Sequence, residues 1–251
     1  MTSRLRISGI ILKNINYGEK DRIATILSAE LGLFTAIMRG AAGSRKRYGG
    51  FLEIFSTVSA DVAPGEGLRM CKILRADLMN PRGAIAADLS KISCASVICE
   101  AAASFFREGQ GKGRAFSILE AALDSINDAG TDFSNIFMCA YLVKTLKLCG
   151  FLPQPKCSSC GSRSSKELGL AVHHAQFVCL NCAKRLHACA VMEYGEEVFE
   201  LLEILLMARF ADIVKSEASG GAAASGLVRL LKFLTADILG HEIKSFSWVE
   251  G

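Results

Sequence analysis

Cys157-x-x-Cys160 is followed, after eighteen intervening residues, by Cys179-x-x-Cys182. Two residues between thiolates let each pair turn around one ion. Two such pairs complete a tetrahedron of sulfur, the arrangement zinc accepts in closed structural sites. The expected cofactor is therefore one structural Zn2+ on Cys157, Cys160, Cys179 and Cys182. The stretch between the pairs, Glu167 to Val178, alternates weakly and predicts a hairpin of the zinc-ribbon kind. His173 and His174 lie on that hairpin; they are either exposed loop residues or a substitute for one sulfur. A catalytic zinc needs an open coordination position, and four thiolates leave none. A redox dithiol would need only one pair, near a βαβ pattern.

The second chemical feature is a run of positive charge. Met38 to Gly50 holds Arg39, Arg45, Lys46 and Arg47 among glycines, with Tyr48 beside the triplet. A glycine-rich basic loop can follow a phosphate backbone without reading bases. An adjoining aromatic could stack on an unpaired base, which suits single strands. Lys13, Lys20 and Arg22 are expected to extend the same face, although Glu19 and Asp21 dilute them. No phosphate-binding loop, dinucleotide fingerprint, nucleophile elbow or HExxH motif occurs. Glu196, Glu197, Glu200 and Glu203 read as the solvated face of a helix. Lys144 and Lys147 on an apolar helix read as exposed lysines, or as contacts for an acidic peptide. With no convergent catalytic set, a non-enzymatic role is expected.

These residues need a scaffold, and the composition allows one. The 251 residues are 51% hydrophobic and 22% charged, enough for substantial cores. The most apolar helical stretch, Val198 to Val214, carries Glu200, Glu203, Arg209 and Asp212, which argues against a membrane span. The opening residues lack a signal-peptide pattern, so a cytoplasmic protein is expected. Cys71, Cys94, Cys99, Cys139 and Cys149 are scattered in apolar segments and read as buried thiols. Residues 1–80 hold 12 Lys and Arg against 7 Asp and Glu, whereas residues 81–251 hold 17 against 18. The positive excess sits in the first third, as expected of a polyanion-facing module joined to a neutral one.

That first third reads as strands over 4–15, 23–28, 33–39, 53–63 and 69–78, with turns at Leu31-Gly32 and Pro64-Gly65. Five short strands with hairpin connections predict a small closed barrel. After Asn80-Pro81 the pattern becomes helical, over 85–108, 115–127, 133–149, 193–215 and 227–239, with a small-residue loop at 219–226. The expected class is α+β multidomain. Its parts are a barrel at 1–80, a helical domain in two pieces at 81–155 and 191–251, and a zinc ribbon inserted at 156–190.

Several segments resemble the bacterial RecO family of recombination mediators. They are Gly9-Ile-Ile-Leu-Lys13, Tyr17-Gly-Glu-Lys-Asp-Arg22, Gly32 to Ala41 running into the basic loop, Gly50-Phe-Leu52 with Phe55, the four cysteines, and Gly240 to Ser245. One departure is Glu53-Ile54-Phe55, where that family usually has proline before phenylalanine. The resemblance implies an OB-fold, a helical body and a zinc ribbon. It also implies binding of single- and double-stranded DNA, strand annealing, and partnership with RecR. It further implies contact with the acidic C-terminal tail of single-stranded DNA-binding protein, and work in the RecA pathway at the nucleoid. The residues alone leave a rival open: an RNA-binding or ribosome-associated module, since barrels and zinc ribbons recur there.

Overall fold

The computed structural model describes residues 4–41, 48, 53–65, 70–162, 168–171, 176–185, 191–213 and 221–249. They fall into two compact units, 1–128 and 129–251.

In the first unit, β1 (Leu5–Tyr17), β2 (Asp21–Ser28), β3 (Gly32–Met38), β4 (Thr57–Ala63) and β5 (Cys71–Asn80) close into a barrel in the order β1-β2-β3-β5-β4. Side chains alternate across a strand, and one alternation fills the interior: Ile7, Ile11, Ala24, Ile26, Phe34, Ala36, Met38, Val58, Ala60, Val62 and Ile73. The opposite alternation is also buried over part of its length, at Ile10, Leu27 and Leu33. There the helices that follow the barrel cover it. This double burial explains why β1 reads as continuously apolar. A bulge between Ile11 and Lys13 shifts the register of β1 against β2 and resets which side chains face outward.

The strand expected from Glu53 begins instead at Thr57. Phe55 adopts a left-handed φ of 72° and bends the chain inward. Its N–H donates to the Ile11 carbonyl, and the Ile11 N–H donates to the Ser56 carbonyl.

The β2–β3 turn is docked by backbone. Leu33 N–H donates to the Gln110 carbonyl (2.7 Å), and Gly109 N–H donates to the Leu33 carbonyl (2.8 Å). Gly32 sits at φ 74°, and a Cβ there would collide with the Gln110 backbone. Gly32→Ala combines a left-handed conformation, costing about 1–2 kcal/mol, with a clash against atoms that cannot move aside. We expect a loss of roughly 2–4 kcal/mol, read as a lowered midpoint in thermal unfolding. An unchanged midpoint would contradict this docking.

Helices α1 (Gly83–Ala86), α2 (Leu89–Phe105) and α3 (Arg114–Asp128) complete the first unit. The expected helix over 85–108 is broken at Ala87–Asp88, where the Asp88 carboxylate accepts from Lys91 N–H and caps α2. Arg82 joins barrel to helices. Its side chain has no exposure; Nε donates to Asp124 (2.7 Å), and Nη1 donates to the Phe55 carbonyl (2.6 Å) and Thr57 Oγ1 (2.9 Å).

In the second unit α4 (Ser134–Leu148) is central. Ile136 through Val143 are buried without a break, each large apolar side chain stabilising the fold by about 1.5–3 kcal/mol. A hairpin of β6 (Leu168–Ala171) and β7 (Gln176–Cys179) leads into α5 (Leu180–Arg185), and β8 (Val191–Glu193) adds a third strand in the order β7-β6-β8. Then α6 (Glu196–Met207), α7 (Phe210–Ile213) and α8 (Ala222–Leu239) pack around α4.

The single helix expected over 193–215 divides at Ala208. Lys144 Nζ donates to the Leu206 and Ala208 carbonyls (3.1 and 2.7 Å) and lies 5.7 Å over the Phe210 ring. Lys144 therefore caps the end of α6 rather than facing solvent. The loop expected over 219–226 is helical from Ala222. Its small residues serve packing: a Cβ on Gly226 would meet Val198 of α6 at 2.6 Å.

Candidate metal centre and nucleic-acid face

The four cysteines converge. The sulfurs of Cys157, Cys160, Cys179 and Cys182 all lie within 4.8 Å of one another, and Cys160 and Cys179 are 3.8 Å apart. An M–S bond of about 2.3 Å places tetrahedral sulfurs about 3.8 Å apart, so the set fits a bound metal. Local structure prepares it. Cys157 precedes a tight turn in which Gly161 N–H returns to the Cys157 carbonyl. Cys179 ends β7, and Cys182 sits one turn into α5 with its N–H donating to the Cys179 sulfur (3.4 Å). Burial raises the Cys157 thiol, but N–H groups of Cys179, Cys160 and Ser159 outweigh it and bring it down to about 6. Cys157 is thus favoured as a thiolate, the form that binds metal, whereas at Cys182 a hydrogen bond from Ser159 is outweighed by bonds among the sulfurs and burial, which push it up to about 12. Ser158 N–H donates to the Phe177 carbonyl (2.8 Å), and the Phe177 ring meets Phe199 of α6 edge-on at 5.0 Å. The module is thus tied to the helical body. His173 and His174 lie outside the described residues.

Four of the five scattered thiols are core residues as expected; Cys149, also expected buried, is half-buried at the end of α4. Cys71, Cys94, Cys99 and Cys139 are buried, and burial pushes Cys94 and Cys99 up to about 12. Such thiols are poor nucleophiles.

The expected cationic side chains distribute unevenly. Lys13, Lys20 and Arg39 are exposed. Gly40 N–H donates to Asp21 (2.8 Å), joining the end of β3 to the β1–β2 turn and bringing Arg39 beside that turn. Arg22 differs from its expected placement. It faces Met38 across the β2–β3 ladder, and Met38 lies in the core, so Arg22 takes the inward alternation, and its Nε is enclosed without a partner.

Arg45, Lys46 and Arg47 lie outside the described residues. Tyr48 does not, and the reading of it as a base-stacking ring is corrected. Its ring is 3% exposed within the barrel cluster. Its hydroxyl lies 3.3 Å from both the Arg39 and Ile73 carbonyl oxygens. Apolar burial of the ring and these acceptors hold it inside. Two exposed side chains share this end of the barrel, Tyr17 at the end of β1 and Lys72 on β5. Neither belongs to the basic loop; the strand register places them here.

The N-terminal profile described as recombination protein O matches residues 1–82, and the corresponding C-terminal profile matches residues 86–245. The chain belongs to the RecO family. Relatives support this assignment over different spans. The DNA repair protein RecO of Anaeromyxobacter sp. (strain K) is 34% identical over 160 residues, 63% of this chain and 62% of that protein. That of Thermoanaerobacter sp. (strain X514) is 31% identical over 190 residues, 73% of this chain and 75% of that protein. That of Pelobacter propionicus is 28% identical over 251 residues, 97% of this chain and 95% of that protein. The match thus spans about three fifths of the Anaeromyxobacter relative and nearly all of the Pelobacter one. The boundary between the two RecO profiles, at 82–86, falls where the barrel gives way to α1. Among the described residues no helix is long and apolar enough to cross a membrane.

Proposed function

We propose that this chain is a non-enzymatic DNA repair protein that binds and anneals single-stranded DNA and helps load recombinase onto protein-coated strands. One observation carries the reading. In a chain matched by both RecO profiles, a closed five-stranded barrel gathers Lys13, Lys20 and Arg39 toward one end, and the Arg45-Lys46-Arg47 triplet follows Arg39 in sequence. Cations in that arrangement neutralise phosphates without selecting bases. Small barrels of this kind bind oligonucleotides on the outer face of β2 and β3. The four-cysteine centre would hold one Zn2+ as a fastening for the second unit, with all four positions filled by sulfur and none open to a substrate. RecR, the acidic tail of single-stranded DNA-binding protein, and the RecA pathway complete the proposed setting. The relatives named as DNA repair proteins support it.

The test is annealing of complementary strands coated with single-stranded DNA-binding protein, with no nucleotide added. Annealing faster than the spontaneous rate is expected; none would defeat the proposal. A competition between matched RNA and DNA strands separates it from an RNA-binding module.

Binding should also carry an electrostatic signature. About four phosphate contacts on a single strand give a log-log salt slope near −3. Replacing Arg45, Lys46 and Arg47 together by Ala should flatten it to roughly −1 and weaken all sequences alike. Titration of a labelled strand at several salt concentrations checks this. A slope that the triple variant leaves unchanged would remove the loop from the interface.

A further inference from the structure

We propose that Tyr17 is the ring on which an unpaired DNA base stacks, at the open end of the outer face of β1, β2 and β3. The inference rests on the DNA-binding reading above and assigns a residue to it that neither the family profiles nor the relatives name.

The argument begins with the register. Ile15 faces Ile23, Ile23 faces Ile37, and Ile37 faces Lys72, so these four share one row across β1, β2, β3 and β5. Lys13 faces Thr25 and Thr25 faces Thr35, one row below; Tyr17 faces Asp21, one row above. The interior belongs to the other alternation, that of Ala24, Ala36 and Met38. Lys13, Ile15 and Tyr17 therefore stand in file on the outside of the barrel, about 7 Å apart along β1.

Burial divides that outer face in two. Toward the helices, Ile10, Leu27 and Leu33 are covered. Beyond the bulge the cover ends: Ile15 is 45% exposed and Tyr17 is 56% exposed. Ile15 and, one row above it, the Tyr17 ring are thus left open to solvent at the β1 edge of this face, while Ile23 is half-buried and Ile37 is only 9% exposed. Cations flank this face. Lys13 lies on one side, Lys72 at the far end of the row, Lys20 in the turn beside Tyr17, and Arg39 just past β3; all four are exposed. Two carboxylates share this end: Glu19 is exposed in the turn beside Lys20, and Asp21 accepts from Gly40 N–H, which offsets part of its repulsion toward phosphate.

An open apolar edge flanked by cations needs an occupant that is apolar on one face and anionic along its length. A single strand offers that combination, with stacked bases on one side and phosphates on the other. A duplex hides its base faces and gives Tyr17 nothing to stack on. Among the described residues of the barrel, the other aromatic rings cannot serve: Phe34, Tyr48 and Phe55 are 0%, 3% and 4% exposed. Tyr17 also closes the β1–β2 ladder opposite Asp21 and precedes the tight turn at Gly18, φ 64°. Its backbone is fixed before a ligand arrives, so little ordering cost remains.

Three labelled probes separate the possibilities: a mixed-sequence single strand of DNA, the same strand with abasic sugars throughout, and the blunt duplex. Each is titrated with the full chain, as wild type, Tyr17→Ala and Tyr17→Phe. Tyr17→Ala should weaken the normal strand about 5- to 100-fold, the span of one stacking contact, and leave the abasic strand and the duplex unchanged. Tyr17→Phe should bind as wild type does. Should Tyr17→Ala fold poorly, a Tyr17→Trp variant in a Trp248→Phe background gives an independent reading. Its emission should be quenched by the normal strand and not by the abasic one. Equal weakening of all three probes, or of none, overturns the stacking role while DNA binding stands. Failure of the wild type to bind any probe overturns both readings. A matched RNA strand held more tightly than the DNA overturns the assignment to DNA.

Discussion

Stripping the metal from the four-cysteine centre is expected to unfold the segment from Cys157 to Glu193 and leave the barrel standing. The reason is how little else holds that segment. Its strands are four, four and three residues long, and its described apolar core amounts to Phe177 and Val178 with Ala183 beside them. Strands that short do not persist without further support. A structural zinc supplies on the order of 10–16 kcal/mol of apparent binding free energy to a module of this type, far more than two buried apolar side chains at about 1.5–3 kcal/mol each. Since Phe177 meets Phe199 of α6, the first turns of α6 should loosen as well. Unit 1–128 shares no ligand with the centre, so its amide protection should persist. Metal analysis should find one zinc per chain, lost on treatment with a strong chelator or in Cys179→Ser. Acid should act in the same direction as the chelator, because thiolates must take up protons to release the ion. Protection of 176–185 that survives complete metal removal would mean that the sulfurs are only neighbours.

Arg82→Ala should be the most damaging single change in the first unit, costing about 3–5 kcal/mol. A buried ion pair adds little net stability, but removing one partner abandons groups that water cannot reach. The Arg82 side chain is fully buried and serves the Phe55 carbonyl, Thr57 Oγ1 and Asp124 together. Asp124, by contrast, remains 41% exposed. Water can replace its partner, so most of the cost arises at Phe55 and Thr57 rather than in the lost charge pair. Asp124→Ala should therefore cost less than Arg82→Ala, the reverse of what an equal partnership would give. Thermal unfolding of the two variants orders them, with Arg82→Ala lowered by on the order of 10–20 °C. Equal midpoints would rule out this division of labour. Arg82 also holds φ 47°, a conformation that costs an alanine as much as an arginine, so strain does not bias the comparison.

The barrel was legible because its turns are marked and its strands alternate, and the zinc-type centre because two CxxC pairs at that spacing have few other uses. What escaped the sequence was set by contacts between distant residues. The helix over 193–215 has unbroken local propensity. It divides because Lys144, more than sixty residues earlier, draws the Leu206 and Ala208 carbonyls to itself. Lys13 and Arg22, grouped in sequence, take opposite faces: the bulge after Ile11 turns Lys13 outward, whereas Arg22 keeps the regular β2 alternation of Ala24 and Ile26 and faces inward with Met38. Tyr48 looked like a ligand-facing ring because it adjoins three cations in sequence. Nothing local marks that it fills the barrel interior against Ile73. Among the described barrel residues the exposed ring is Tyr17, flanked in sequence by Asn16 and Gly18. Adjacency to the cations therefore singled out a ring that the barrel buries.

Among the described residues, β3 and β5 meet only at Ala36–Cys71 and Ile37–Lys72, the shortest ladder in the barrel. The hydroxyl of Tyr48 spans that stitch, within reach of the Arg39 carbonyl on one side and Ile73 on the other. The cationic triplet lies in sequence between Gly40, tethered to Asp21, and this hydroxyl. A polymer hauling on the triplet would thus load the narrowest weld of the barrel, and a single phenol rivets it shut.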